Sequence, residues 1–359
     1  MAQLRSVRHK AIVLLMLQGG LRPGETLGLR LKDVAYGRRR VVVRHREHHP
    51  KGARSKSRYE RARAAARPAG RAGCVSSTLL AHERANSLGG SMESAVDFDA
   101  MAADYEKALK FMAPVTDALL SHLPDLTGDA SVLDIACGTG EPGLSLLHRS
   151  PGLQLLGIDS SSAMVEMARR RSETEGLGGA RFAVMDAQHL DVPPASVDVI
   201  VSRFGALSFG DPVRGAEEAV RVLRPGGSVA VAVWDVLSKN ILVHAMATAL
   251  GDHTPPGVRA MLDNLEQLAM PGLRESYLRD AGLSTVDSEL FPWTSDFSDE
   301  ATMWTFMCAP GLFQQPVDTL DEGQRAQVRA RFGELLADYR RTDGSFALPY
   351  GCRLIWGRR

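Results

Sequence analysis

Cysteine is scarce in this chain of 359 residues: four, at positions 74, 137, 308 and 352, with no Cys-x-x-Cys pair. That excludes a disulfide framework and a thiolate metal site, so a reduced, cytoplasmic chain without bound metal is expected. Long apolar runs are missing too. Ala11–Leu17 follows Arg5, Arg8 and Lys10 in the manner of a signal peptide. It sits at the short limit for such a core, no small-x-small cleavage site follows, and it is far too short to cross a bilayer. A buried helix stopped by Gly19-Gly20 is expected there instead, and no membrane span anywhere. No internal repeat is present. Neither sign of charge dominates the whole, which carries a net +1. The balance hides an asymmetry: residues 1–91 hold 20 Lys+Arg against 5 Asp+Glu, and the remainder holds 23 against 37. A basic segment in front of an acidic body implies two parts with different histories or partners.

Three zones follow from the local patterns. Residues 1–60 have some order: the apolar helix, a second helical turn from Pro23, and a strand at Val41–Val43. From about 52 to 91 the chain is rich in Arg, Ala, Ser and Gly with few large apolar residues, so 61–91 is expected to be a disordered linker. From Met92 onward, short apolar segments alternate with helical ones, the pattern of a doubly wound parallel α/β sheet. Strands are expected at Ser131–Ile135, Gln154–Ile158, Arg181–Met185, Val197–Ser202 and Ser228–Trp234, each apolar enough to be buried on both faces. Ser161–Ser172 is expected to be a helix, with Ala163, Met164, Met167 and Ala168 on one face. After Trp234, helices near 237–250, 257–281, 298–309 and 321–341 surround strands near 284–296 and Phe346–Trp356. Residues 92–235 are thus expected to form a ligand-binding core, and 236–359 a helical cap plus strands that complete the sheet.

The segment Asp134-Ile-Ala-Cys-Gly138-Thr-Gly140-Glu-Pro-Gly143 joins the first strand of that core to a helix. Its glycines permit a sharp turn close to a ligand, and the helix start offers free N–H groups. Gly138-Thr-Gly140-Glu-Pro-Gly143 also satisfies the dinucleotide fingerprint G-x-G-x-x-G. Asp134 and Glu141 oppose that reading, because carboxylates beside the loop would repel a pyrophosphate. They suit a cation, such as the sulfonium and ammonium of S-adenosylmethionine. Asp159 ends the second strand, where a carboxylate can accept ribose hydroxyls, and Asp186 ends the third, within reach of an adenine amino group.

With these residues in place, the chain from about 92 to 235 resembles the class I S-adenosylmethionine-dependent methyltransferases, in their ubiquinone/menaquinone branch. Val132–Gly140 resembles the family's first motif, with Ala136 where many members have glycine. Gly157-Ile-Asp159-Ser-Ser-Ser-Ala-Met164 resembles the second, Asp186-Ala-Gln188-His-Leu190 the third, and Arg221-Val-Leu-Arg-Pro225-Gly-Gly227-Ser-Val the turn before the fifth strand. The resemblance implies a Rossmann-like sheet, S-adenosyl-L-methionine as cofactor and a small-molecule acceptor. It implies that Asp134, Gly138 and Gly140 meet the methionine end, that Asp159 holds the ribose with Ser160 and Met164 nearby, and that Asp186 and Ala187 meet the adenine. Arg203 and Phe204 would lie near the sulfonium. Phe98–Tyr105 is similar to the family's lid helix, with Tyr105 as the aromatic cover or as ordinary helix packing.

Methyl transfer from a sulfonium needs chiefly positioning and exclusion of water. A base is needed only for a nucleophile with a high pKa, and His244 is the one candidate. Trp293, Trp304, Phe306, Met307 and Phe313 suit either an apolar acceptor site or the core of the cap. No nucleic-acid substrate is expected, because the position after the fourth strand reads Ser202-Arg-Phe-Gly. DNA amino-methylating enzymes need a polar residue, Pro-Pro and an aromatic there. The front segment, Gly19-Gly-Leu-Arg22-Pro-Gly-Glu25-Thr-Leu-Gly-Leu-Arg30-Leu-Lys-Asp33-Val, resembles the start of the tyrosine recombinase (phage integrase) catalytic domain. Arg22 matches that family's phosphate-binding arginine, and Lys51 or Lys56 its hairpin lysine. The His-x-x-Arg segment, the later histidine and the nucleophilic tyrosine have no counterpart, so a truncated fragment without recombinase activity is expected, the alternative being a nucleic-acid-binding arm whose basic face holds phosphate nonspecifically. Oligomeric state is not legible.

Overall fold

The computed structural model describes the backbone of residues 34–35, 40–43 and 61–64, and residues 111–126, 128–208, 210–309 and 311–359 in full. The chain divides into two compact units, Met1–Arg84 and Ala85–Arg359. In the first, β1 (Val34–Ala35), β2 (Arg40–Val43) and β3 (Arg61–Ala64) pair antiparallel in that order. The expected strand at Val41–Val43 is present. The expected linker is corrected at its start, because residues 61–64 form a strand: backbone pairing needs no large apolar side chain. The expected helix at Ala11–Leu17 and the recombinase-like residues Arg22, Lys51 and Lys56 lie outside the described residues, as does Tyr105.

The second unit is built on seven strands. β4 (Ser131–Ile135), β5 (Gln154–Asp159), β6 (Ala180–Val184), β7 (Val197–Arg203) and β8 (Leu223–Trp234) run parallel. β10 (Phe346–Arg358) is antiparallel to both β8 and β9 (Thr285–Phe297), giving the order β6-β5-β4-β7-β8-β10-β9. This is the expected doubly wound, Rossmann-like α/β sheet, with the C-terminal strands completing it. The chain leaves β4 toward β5 and later returns to its other side as β7. The crevice at that reversal is where such sheets bind ligands.

Period-two alternation assigns each strand residue to a face. Leu133, Ile135, Ile200, Val229, Val231 and Val233 pack with the helices Pro212–Val222 and Leu273–Ala281. Val132, Val199 and Val201 turn the other way, onto the helices Gly143–Arg149 and Ser162–Thr174. Ala230, Ala232, Cys352 and Leu354 also face that side, under a helix whose described part covers 111–121 and the helices of the cap. The expected long helix near 257–281 is broken into Pro256–Leu268 and Leu273–Ala281 at Pro271-Gly272, where Gly272 adopts φ 81°. Proline removes a helical donor and glycine takes the left-handed turn.

Behind that break sits an arginine that pattern reading did not single out. Arg274 is 2% exposed. Its Nε donates to the Leu207 carbonyl at 3.2 Å and its Nη1 to the Trp234 carbonyl at 2.9 Å, tying the loop after β7 to the end of β8. Burial pushes its pKa down to about 10, against the opposing pull of the Tyr277 hydroxyl and Glu275. Arg274→Met should therefore cost about 2–4 kcal/mol in urea unfolding, since two buried carbonyls lose their donor. Arg274→Lys should recover only part, because one ammonium lacks the fork that spans both carbonyls. A loss below about 0.5 kcal/mol, the usual range for an uninvolved surface position, would show that the clamp contributes nothing.

Candidate functional site

The site is assembled at the carboxyl ends of β4, β5 and β7. Asp134 is fully buried, and its Oδ2 accepts the Gly143 N–H at 2.8 Å, the first residue of the following helix. The loop between them folds back in three left-handed steps, Ala136 (φ 56°), Gly138 (φ 53°) and Gly140 (φ 106°). A Cβ on Gly140 would lie 2.5 Å from Leu144 Cδ1, so only glycine fits there. Cys137 donates its N–H to the Ile158 carbonyl at 2.8 Å, and Gly138 donates its own to Asp159 Oδ2 at 2.9 Å. The first and second strand ends are thereby locked to each other.

Asp159 holds a second backbone donor, the Ser161 N–H, at 2.9 Å on Oδ1. Ser160 is exposed beside it. Ser161 caps the next helix by accepting the Met164 N–H at 3.1 Å, and Met164 is 2% exposed. Asp186 lies two residues beyond β6, followed by half-buried Ala187. Burial raises the Asp186 pKa, but donors from the Gln188 N–H and the His189 ring outweigh it and hold the carboxyl below its usual range.

The other wall comes from the end of β7. Ser202 Oγ donates to the Ile135 carbonyl at 2.6 Å and accepts the Ala206 N–H at 3.0 Å, fastening the loop after β7 to the end of β4. Gly205 packs so closely on Ala136 that a Cβ there would collide with its side chain. Phe204 takes a left-handed backbone, φ 69°, that non-glycine residues rarely adopt. Its ring stacks on Trp234 at 3.8 Å with an interplanar angle of 8°. Arg203 is 6% exposed and donates Nη1 to Thr116 Oγ1 at 2.6 Å. Nine of the site residues expected from the sequence thus gather at neighbouring strand ends: Asp134, Gly138, Gly140, Asp159, Ser160, Met164, Asp186, Arg203 and Phe204, with Ala187 just behind them.

Two expectations change. The acidic character of the loop is not displayed to a ligand in the way its sequence suggests. Glu141 pairs with Arg171 at 3.1 Å, and Asp134 is turned inward. His244 lies exposed on the helix Ile241–Leu250, whose buried residues Leu242, Ala245, Met246 and Leu250 define the opposite face. Nothing in the site gathers around it, so its geometry gives no support to a base. The aromatic residues of the cap resolve as core. Trp293, Trp304, Met307 and Phe313 are buried in one cluster with Phe306 packed against it. Ser202, Arg171 and Thr116 went unread, since hydrogen bonds between distant segments leave no periodic trace. Among the described residues, no group of three or more His, Cys, Asp or Glu could hold a metal ion, and no helix is long and apolar enough to cross a membrane.

A family profile described as "Methyltransferase domain" matches residues 132–227, the span of β4 to β8 that builds this site. "Methyltransferase GfsG" of Streptomyces halstedii is 35% identical over 222 residues, 62% of this chain and 74% of that protein. The chain belongs to the class I S-adenosylmethionine-dependent methyltransferases. Two further members are similar over shorter spans. A demethylmenaquinone methyltransferase of Thermus thermophilus is 39% identical over 100 residues, 28% of this chain and 45% of that enzyme. A nocamycin O-methyltransferase of Saccharothrix syringae is 28% identical over 202 residues, 53% of this chain and 71% of that enzyme. This methyltransferase chain spans about half the length of the demethylmenaquinone enzymes it matches, 42–54% of each. The family's cofactor fits the residues present: a left-handed loop, a carboxylate at the neighbouring strand end, and buried polar atoms without protein partners at Asp134 Oδ1, Thr139 Oγ1 and Arg203 Nε.

Asp134 also makes a pH prediction. Burial raises its pKa well above the usual carboxylate range, against the lowering effect of the Gly143 N–H. A carboxyl that keeps its proton longer in the fold than in the unfolded chain contributes fully below the unfolded pKa of about 4. That contribution is lost as pH rises through the folded value. Asp134→Asn can keep the Gly143 bond through its amide oxygen. Urea unfolding of the ligand-free protein from pH 5 to 8 should show a flatter stability profile in Asp134→Asn than in the wild type. Identical slopes would mean that Asp134 ionises in the fold without penalty.

Proposed function

We propose that this methyltransferase binds S-adenosyl-L-methionine across the ends of β4, β5 and β7 and transfers its methyl group to a small-molecule acceptor by in-line displacement. The observation that carries this reading is the pairing of Asp134 with Gly143 beneath the left-handed loop. It fills the helix N-terminus that a pyrophosphate would otherwise occupy. The loop is thereby unsuited to a dinucleotide and suited to a ligand without phosphate.

In this reading Gly138 and Gly140 let the backbone approach the methionine end, Asp159 accepts the ribose hydroxyls, and Asp186 and Ala187 border the adenine. Arg203 and Phe204 form the wall on the sulfonium side. Bound there, the cofactor supplies an electrophilic methyl group with a neutral leaving group. The chain's own contribution is orientation and exclusion of water. The Phe204–Trp234 stack and the buried aromatic array behind it keep that side apolar, with Trp293 and Tyr350 rings 5.3 Å apart. Two of the relatives are named for demethylmenaquinone and nocamycin, the latter as an O-methyltransferase. A hydroxylated or quinonoid metabolite is the acceptor class we infer from them. No side chain in the site is assigned as a base.

Saturating S-adenosylhomocysteine, at about 100 times its Kd, should stabilise the protein by about 2.7 kcal/mol, a rise of about 5 °C in Tm. NADH should produce no shift. A shift with NADH and none with S-adenosylhomocysteine would overturn the assignment. Transfer of labelled methyl to a panel of hydroquinones, phenols and polyketide alcohols, with amines as the contrast, would then identify the acceptor.

A further inference from the structure

We propose that Arg171 is a positioning residue for cofactor binding: from the helix Ser162–Thr174 it holds the glycine loop in its binding shape, acting through Thr139 and Glu141. This rests on the cofactor reading above. Gly138 and Gly140 let the loop after β4 turn left-handed, and the same freedom makes it costly to order. A ligand that meets a loose loop has to order it, and binds more weakly for that. Restraints supplied by the rest of the fold therefore count toward affinity. Gly138 has one, because its N–H donates to Asp159 Oδ2 at 2.9 Å. Around Gly140 the local bonds stay within the turn: the Gly140 and Glu141 N–H groups both donate to the Cys137 carbonyl, at 2.9 and 3.1 Å.

Arg171 supplies the restraint from outside. Its Nη1 donates to the Thr139 carbonyl at 2.8 Å and its Nη2 to Glu141 Oε1 at 3.1 Å. The planar fork thus spans Gly140, taking the backbone on one side of it and a side chain on the other. Glu141 is held from its other oxygen as well, since Oε2 accepts the Ser145 hydroxyl at 2.6 Å. Ser145 belongs to the helix Gly143–Arg149 and Arg171 to the helix after β5, so the loop is gripped by both of its neighbouring helices. A second contact joins the same two helices: Glu175, the C-cap residue, accepts from Arg171 Nη2 at 3.4 Å and lies 2.9 Å from His148 Nε2.

The Arg171 and Glu141 side chains are only 19% and 12% exposed, so salt screens their pairing incompletely. Both oxygens of Glu141 are engaged within the protein, which gives this loop carboxylate a role as an anchor. An ion pair joining two rigid elements would add little beyond stability. This one joins a helix to a loop with two glycines, so its effect falls on the population of the loop's binding shape.

The test combines titration calorimetry on the full chain, with S-adenosylhomocysteine as ligand, and amide hydrogen exchange of the ligand-free protein. Arg171→Met should weaken S-adenosylhomocysteine about 5- to 10-fold, the share of one or two restraining hydrogen bonds. Arg171→Lys should recover only part of that loss, because one ammonium cannot span the Thr139 carbonyl and Glu141 together. Glu141→Gln should weaken binding about threefold, and adding it to Arg171→Met should cost nothing further, since the two residues form one tether. In Arg171→Met the Gly140 and Glu141 amides should exchange about tenfold faster, with the amides of Val199 and Val201 in β7 unchanged. Unchanged affinity in Arg171→Met, additive losses in the double variant, or equal acceleration in the loop and in β7 would overturn the assignment and leave the cofactor reading intact. Failure of the wild type to bind S-adenosylhomocysteine would overturn the cofactor reading, and this role with it. If Arg171→Met does not fold, Arg171→Lys and Glu141→Gln decide: wild-type affinity in both counts against the tether.

Discussion

The hydrogen bond from the Gly143 N–H to Asp134 Oδ2 is the constraint on which the site rests. It joins the end of one strand to the start of the next helix across nine residues of chain, at 2.8 Å, in the dry interior. A buried carboxyl must find donors or stay protonated. Here the nearest donor is a helix N-terminus, which itself lacks acceptors and carries partial positive charge. Each group removes the other's deficit, and the intervening loop has to take the shape their separation allows. Left-handed backbone at Ala136, Gly138 and Gly140 is that shape. Once the loop is folded this way, the Gly138 N–H reaches Asp159, and the Cys137 N–H reaches Ile158. The second strand end is thereby placed by the first.

The loop disfavours a pyrophosphate by occupancy rather than by displayed charge. Sequence charge alone sets Asp134 and Glu141 against a pyrophosphate by repulsion. In the structure Glu141 is held by Arg171, and Asp134 points into the protein. Exclusion of phosphate is instead a matter of occupancy: the N–H that dinucleotide loops present to a phosphate already has a carboxyl partner. The distinction has a physical consequence. Repulsion between exposed charges is screened by salt, whereas a buried hydrogen bond is not.

The strands were legible because they are buried on both faces, so short apolar runs such as Val132–Ile135 and Val197–Val201 stand out against their neighbours. The acidic strand ends at Asp159 and Asp186 were legible for the same reason, since each interrupts an apolar run at its carboxyl end. Boundaries drifted by one or two residues where hydrogen bonding outlasts hydrophobicity. The exception is β8, which begins five residues ahead of the expected Ser228, at Leu223, and runs through Pro225-Gly-Gly227 before its apolar stretch. What could not be read is whatever depends on residues far apart in sequence. Arg274 looks like any helical arginine until Leu207 and Trp234 are brought to it. Thr116 and Arg203 are separated by 87 positions. His244 is the converse case: a residue type suited to chemistry that lies exposed, away from the buried face of its helix.

Phe204 shows how the two walls of the site depend on each other. A left-handed φ of 69° at a bulky residue costs on the order of 1–3 kcal/mol and persists only when its surroundings leave no alternative. Three things leave none. Ser202 anchors the backbone before it to Ile135, Gly205 after it lies against Ala136, and its own N–H donates to the Ala232 carbonyl at 2.8 Å. Its ring is then delivered flat onto Trp234, whose carbonyl Arg274 holds from the far side. The strain is thus balanced by bonds reaching back to the β4 loop in one direction and to the buried arginine in the other. That balance fixes Arg203 and Phe204 as a rigid pair, a charged side chain toward Asp134 and an aromatic one toward the cap. A site that must align a methyl group with an acceptor needs such a boundary between its polar and apolar halves, because a small displacement there would misalign the displacement line.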